Sequence, residues 1–274
     1  MLMNTPSGLS AYLTKLLASG QLVFRAREAQ EALGIGQGAF LDAAEKLQKR
    51  KAVFSPRRGF YVVVPPQYLA LGCPPPAWFI DDLMRHEDKP YYVGLLKAAE
   101  IHGAAHHAVM EFQVVTTKQI PPVKIGRVRI SFTFRKDFAV IETGIEDHKT
   151  ETGTMKVSSP ELTLLDLFRY PQAAGGLDTI LSVLDELAPR VASDKLGKLA
   201  KGFERAVIQR AGFLLERSNF PLLADTLHEA LGKKPLPPVE LDRSLIRALD
   251  LAPPIIEQDK RWRVIVRRMP ERDQ

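Results

Sequence analysis

Apolar residues recur at helical spacing through the first fifty positions and then change rhythm. Leu9, Leu13, Leu16 and Leu17 share one face of a helix that opens after Thr5-Pro6-Ser7 and stops at Ser19-Gly20. A short segment from Gln21 to Phe24 leads into Arg25–Leu33, where Ala29, Ala32 and Leu33 give a second helix a small apolar face. Gly34 and Gly36 follow, and glycine's tolerance of positive φ suits the close of one helix and a sharp reversal. A third helix runs from about Gln37 to Arg50, with Phe40, Ala43, Ala44 and Leu47 on its inner stripe. At residue 52 the rhythm becomes that of strands: Ala52-Val53-Phe54, a Ser55-Pro56-Arg57-Arg58-Gly59 turn, then Phe60–Val64. Two short helices joined by a glycine turn, a basic end on the second and a hairpin after it have the layout of a winged helix-turn-helix.

Pro65-Pro66, Gly72 and Pro74-Pro75-Pro76 then stiffen the chain, so a domain boundary is expected within 65–77, dividing residues 1–70 from 71–274. Beyond it the pattern predicts a short helix at Trp78–Met84 and a buried helix at Tyr91–Ile101. Strands are expected at Glu111–Thr116, Gly126–Arg135 and Phe138–Glu142, and an exposed loop at Thr143–Thr154. Ser159-Pro160-Glu161 reads as a capped helix start, with the hydroxyl, the fixed φ and the acid all at their favoured positions. Gly175-Gly176 resets the chain for Leu177–Leu187, helical stretches follow over 194–217 and 220–232, Lys234–Pro238 is a loop, and Trp262–Arg267 alternates like a closing strand. The expected fold class is mixed α+β, a small winged module followed by a larger helix-and-strand domain.

Charge sharpens this division. The chain of 274 residues carries a formal net charge of +6. Residues 1–70 hold nine basic side chains against four acidic ones, and so nearly all of the excess. Basic excess confined to one module is the footprint of phosphate binding. The residues that point to DNA are Arg25, Arg27, Gln37, Lys46, Lys49, Arg50, Lys51, Arg57 and Arg58. Gln37 is suited to an adenine edge in the major groove; the third helix also presents Leu41, with Asp42 and Glu45 repelling phosphates. Lys49, Arg50, Lys51 and the hairpin arginines would anchor the backbone without reading sequence, and Arg25 and Arg27 would add contacts at the start of the second helix.

Other chemistry finds little support. One cysteine, Cys73, excludes a disulfide framework and a thiolate zinc site within the chain, and fits a reducing, cytoplasmic setting. No apolar run approaches a membrane span. His102, His106 and His107 lack the further ligands that zinc requires. Gly175-Gly176 lacks the spacing and the following Lys-Ser/Thr of a phosphate loop. Asp137, Glu142, Glu146, Asp147 and Glu151 with Lys156 mimic a nuclease set, but most crowd the polar stretch after Thr143. No G-x-S-x-G elbow is present. Arg267-Arg268 reads as a solvated tail. No catalytic residue, metal or cofactor is expected.

Three blocks, arriving in order, carry a resemblance: RRGFYVVVPPQY at 57–68, KPYYVGLLKAAEIHGAAHHAVMEFQVVT at 89–116 and VSSPELTLLDLFRYPQAAGGLDTI at 157–180. Together they resemble the AbiEi-type antitoxins of abortive-infection toxin–antitoxin systems, over roughly residues 20–190. Relatives often carry an arginine after the segment matching Pro160-Glu161, where this chain has Leu162. The resemblance implies a non-enzymatic protein with two roles. The winged module would bind inverted repeats in double-stranded DNA of its own promoter and repress its operon. The second domain would counter a nucleotidyltransferase-like toxin, directly or by opposing its effect. The rival reading is an antitoxin that acts through protein contact alone, its winged module serving docking or dimerisation; a metal-dependent nuclease stands further off.

Overall fold

The computed structural model describes residues 8–104, 109–246 and 251–272. The Thr5-Pro6-Ser7 helix start lies outside the described residues, as do His106 and His107.

Three helices, α1 (Leu9–Ala18), α2 (Ala26–Leu33) and α3 (Gln37–Lys49), pack on a three-stranded antiparallel sheet. Its strands are β1 (Val23–Arg25), β2 (Val53–Arg57) and β3 (Phe60–Val63), with β3 in the middle. The helix faces fall largely where the periodicity puts them: Leu13, Leu16, Ala29, Phe40, Ala44 and Leu47 are buried in one cluster with Phe24, Val53, Tyr61 and Val63, whereas Ala32, expected on the inner face of α2, is exposed. Aromatic rings organise it, Phe24 stacked on Tyr61 and Phe40 edge-on to it, both at 5.3 Å between centroids. Gly34 ends α2 in the left-handed conformation at φ 62, where its N–H bonds back to the last turn; a side chain there would be strained.

Strand β3 faces two ways. Tyr61 and Val63 point into the helical cluster, while Phe60 and Val62, one residue out of phase, lie in a second core with Cys73, Phe79, Ile80, Leu83 and Met84. Phe54 on β2 meets Phe79 edge-on at 5.6 Å. The hairpin is therefore shared between the small module and the rest of the chain. The proline segment after it forms two short 3-10 turns, Pro66–Tyr68 and Pro76–Trp78, braced by Tyr68 against Trp78 at 5.2 Å.

The larger body is built on a six-stranded mixed sheet in the order β6-β7-β5-β4-β9-β8. The strands are β4 (Tyr91–Val93), β5 (Glu111–Thr116), β6 (Val123–Ile125), β7 (Val128–Phe134), β8 (Ile145–Thr150) and β9 (Gly153–Ser158). One face carries Val93, Phe112, Val114, Ile130, Met155 and Val157 and is covered by α4 (Ile80–His86) and the hairpin. Tyr92 and Val115 on the other face meet a helical layer made by α5 (Leu95–Ile101), α6 (Pro160–Arg169), α7 (Leu177–Leu187), α8 (Ser193–Ala200), α9 (Arg205–Arg217) and α10 (Pro221–Leu231). A small sheet closes the chain, β12 (Val264–Val266) lying between β10 (Val239–Glu240) and β11 (Glu257–Gln258). Trp262 is fully buried against Gly212 of α9, where an added Cβ would stand 2.0 Å from the indole.

Four expectations are corrected. Tyr91–Val93 is a strand, not the start of a helix; Gly94, extended and without a side chain to meet Tyr92 and Val115 at 3.1 Å, separates it from α5. Phe138–Glu142 is not a strand, since Ala139–Gly144 forms a 3-10 helix. Thr143–Thr154 is no loop: β8 and β9 pair along its length, with both faces wet over most of it. The stretch 194–217 is two helices broken between Ala200 and Arg205. Ser159 caps α6 as expected, accepting from the Leu162 N–H, and Leu162 itself is wholly buried against Gly144.

Candidate nucleic-acid interface

Packing α3 by Phe40, Ala44 and Leu47 turns its opposite side to solvent. Gln37 at its first turn, Leu41, Lys46 and Lys49 are all exposed, followed by exposed Arg50 and Lys51. Lys51 has φ 58, so the chain reverses directly after α3 and delivers β2 beneath it. The acids expected to oppose phosphates are on the same helix, and one is already engaged. Glu45 receives Lys49 at 2.6 Å, which holds its carboxyl below the usual range. Both partners are mostly exposed, so the pair is weak and Lys49 is easily drawn to another anion.

At the start of α2, Arg25 and Arg27 are exposed. The Arg25 N–H donates to Glu28 at 2.8 Å, which places an acid at the helix's positive end. Arg27 bonds Glu31 one turn on at 2.7 Å, raising its pKa, again across a solvated gap.

The two hairpin arginines, adjacent in sequence, part company. Arg58 is exposed; its backbone carbonyl accepts from the His86 ring at 3.2 Å, and its side chain pairs with no described residue. Arg57 turns inward. Its Nε meets Glu87 at 2.9 Å, one Nη donates to the Pro121 carbonyl at 2.6 Å, and the guanidinium sits over the Phe132 ring at 5.5 Å. Its side chain retains 19% exposure. Arg57 is thus a clamp between the hairpin and the larger body, and its place in the expected phosphate-contacting set is corrected on that ground.

Sequence reasoning missed a neighbour of this face. In the turn between β6 and β7, Gly126 lies against the Leu71 carbonyl, while Gly72 lies against the stem of Lys51. Through Leu71 and Gly72, this turn, which carries exposed Arg127 and follows exposed Lys124, is linked to Lys51 at the basic end of α3. The alternation of basic residues in 126–135 was visible in the sequence; its proximity to Lys51 was not.

The remaining expectations divide as follows. The Arg267-Arg268 pair is not a free tail: Arg267 grips Glu240 at 3.2 Å and Arg268 makes two bonds to Asp178, at 3.1 and 2.7 Å. His102 bonds the Ser158 carbonyl at 2.7 Å. The acidic set is dispersed: Asp137 precedes the 3-10 helix that holds Glu142, and the others lie on the exposed β8–β9 hairpin, Asp147 paired with Lys156 at 2.8 Å and Glu146 facing Lys195 at 3.7 Å. Among the described residues no group of three or more His, Cys, Asp or Glu is placed to hold a metal ion. Burial raises the Cys73 thiol to about 12, which leaves it inert at neutral pH. Among the described residues no helix is long and apolar enough to cross a membrane.

The larger body has a recognisable kernel: β4 and β5, the α5 turn between them, the β8–β9 hairpin, capped α6 and the helices up to α9. This stretch, residues 92–217, matches the family model of the AbiEi antitoxin C-terminal domain. The chain carries an AbiEi-type antitoxin domain. No curated protein sequence matches the chain. Among solved structures, that of the RV2827C protein from Mycobacterium tuberculosis is similar, with a TM-score of 0.65 over 96% of this chain and 94% of that one, at 16% identity. At that identity the likeness is one of fold, and it runs through the small basic module as well as the AbiEi domain.

The AbiEi domain has a buried polar centre. Asp166 of α6 is wholly enclosed, receiving Arg135 at 2.7 Å and the Tyr92 hydroxyl. Burial outweighs the guanidinium and lifts the Asp166 carboxyl to about 6. Phe203 covers Arg135 at 4.6 Å. The network ties β4, the end of β7 and α6 together, and it is sealed from any partner.

Proposed function

We propose that this chain is an antitoxin that also acts as a DNA-binding autorepressor, countering a nucleotidyltransferase-like toxin through its AbiEi domain. The observation that carries the DNA half is the exposed basic face around α3. Its helical partner α2, the glycine turn and the β2–β3 hairpin are then a winged helix-turn-helix, with α3 as the recognition helix in the major groove. Gln37 reads a base edge. Lys46, Lys49, Arg50 and Lys51 hold the backbone, with Arg25, Arg27 and Arg58 flanking. Arg57 contributes by fixing the hairpin rather than by touching DNA. Two copies on an inverted repeat supply the avidity that a single small head lacks.

The test is a gel-shift titration of the full chain against the DNA upstream of its own gene, across a salt series. The four backbone-holding cations alone give a log–log slope of about −4, and the three flanking arginines steepen it to about −6 if they all engage. Replacing Lys46 and Lys49 with alanine should reduce the slope by about two and leave the fold intact. An unchanged slope removes this face from the interface. Absence of binding at low salt leaves the alternative, an antitoxin that meets its toxin by protein contact alone.

A further inference from the structure

Beside the loop that joins α6 to α7, a cleft of about 300 Å³ opens in the helical layer. Its charged lining consists of Arg169, Arg210 and Arg243, with Pro171, Gln172 and Ser244 completing the wall and no carboxylate among them. Arg169 is anchored by Glu204 at 2.7 Å. Arg243 is exposed and forms no ion pair with a described residue.

Arg210 stands apart from the other arginines of the body. It is only 9% exposed, yet no described carboxylate pairs with it. Its Nε donates to the Glu240 carbonyl at 2.8 Å, which orients the guanidinium, and the residue lines the cleft. Burial, and then the charge of Arg243, push its pKa down, with Asp242 opposing them. A charge so enclosed normally has a counter-charge of its own, as Arg135 has in Asp166 and Arg267 in Glu240.

An adjoining chamber of about 390 Å³ shares Arg210 and Arg243. It is bounded by Gly175, Gly176 and the first turn of α7, an eleven-residue helix with no side-chain cap at its start. Of its two carboxylates, Asp178 is paired with Arg268, while Asp242 keeps its charge and accepts from the N–H and hydroxyl of Ser244 at 2.8 and 2.6 Å. The combined space is therefore net positive, lined by four arginines against two aspartates. Guanidinium forks match a tetrahedral oxyanion with several acceptor oxygens better than they match a single charge.

We propose that the cleft formed by Arg169, Arg210 and Arg243 binds a phosphate group, with the adjoining chamber receiving the organic part of a phosphate ester. This site lies apart from the basic face around α3, and its occupancy does not depend on DNA binding.

Isothermal titration of the full chain with inorganic phosphate and with phenyl phosphate, in chloride buffer at constant ionic strength, tests it. Saturable binding of one equivalent is expected. Arg243→Ala, an exposed position whose loss leaves melting in chloride unchanged, should weaken binding about tenfold or more. The Lys46→Ala/Lys49→Ala variant should bind as the wild type does. Tighter binding of phenyl phosphate identifies an ester as the natural occupant, and equal binding identifies the free ion. Absence of saturable heat overturns the proposal, as does binding that survives Arg243→Ala or vanishes with the two lysines.

Discussion

The small module and the larger body both abound in cations, but they dispose of them in opposite ways. Around α3 the cations stand in solvent, and where they have partners, as Lys49 does in Glu45, the pair is exposed and exchangeable. In the body the arginines are mostly consumed by the fold: Arg135 by Asp166, Arg267 by Glu240, Arg268 by Asp178 and Arg272 by Asp185. Charge composition alone does not separate the two uses. What separates them is whether a carboxylate or carbonyl is packed within reach. By that criterion Arg57, although it belongs to the hairpin of the small module, behaves as an arginine of the body.

The comparison breaks most visibly at the deepest pair. Arg135→Met leaves the Asp166 carboxylate buried without its counter-charge and should cost about 3–5 kcal/mol in urea unfolding. A loss within the range of a surface substitution would show that the pair contributes little.

The same centre should respond to pH. Asp166 has its ordinary value of 3.8 in the unfolded chain and about 6 in the folded one. Between those values the folded state binds the extra proton. The stability contributed by this group is therefore full below about pH 4 and lost as pH rises through about 6, at up to about 1.4 kcal/mol per pH unit. The slope should be absent from Asp166→Asn when unfolding midpoints are compared across that window.

These effects belong to a part of the molecule that the sequence discloses unevenly. The capped start of α6 and the helices of the small module are legible because local chemistry decides them: Ser159 and Pro160 in one case, a repeating leucine or alanine stripe in the other. Tyr91–Val93 misleads because its apolar run continues without a break into α5, and a strand buried on both faces has no alternation to reveal it. The β8–β9 hairpin misleads for the opposite reason, since Glu146 to Lys149 are polar on both faces. The exposed residues of the basic face follow from helical phase. The separation of Arg57 from Arg58 does not, because Glu87, Pro121 and Phe132 reach the first of them only through tertiary packing.

The hairpin makes this contrast sharpest. Arg57→Ala gives up a partly buried ion pair and its carbonyl bond, and should lower stability by about 1–3 kcal/mol. Arg58→Ala should change it by less than about 0.5 kcal/mol and weaken DNA retention instead. Thermal melts and gel shifts on the two variants read both effects, and a reversed pattern would exchange the roles assigned to these neighbours.

Because alternate residues of β3 belong to different cores, the head has no swivel on the body. Any molecule that grips the antitoxin domain and tilts it carries α3 through the same angle, with no slack in between. On the proposed reading, in which two copies of α3 engage an inverted repeat, the distance between those helices is dictated by how the bodies meet, and the spacing of half-sites along the DNA becomes a ruler for that meeting.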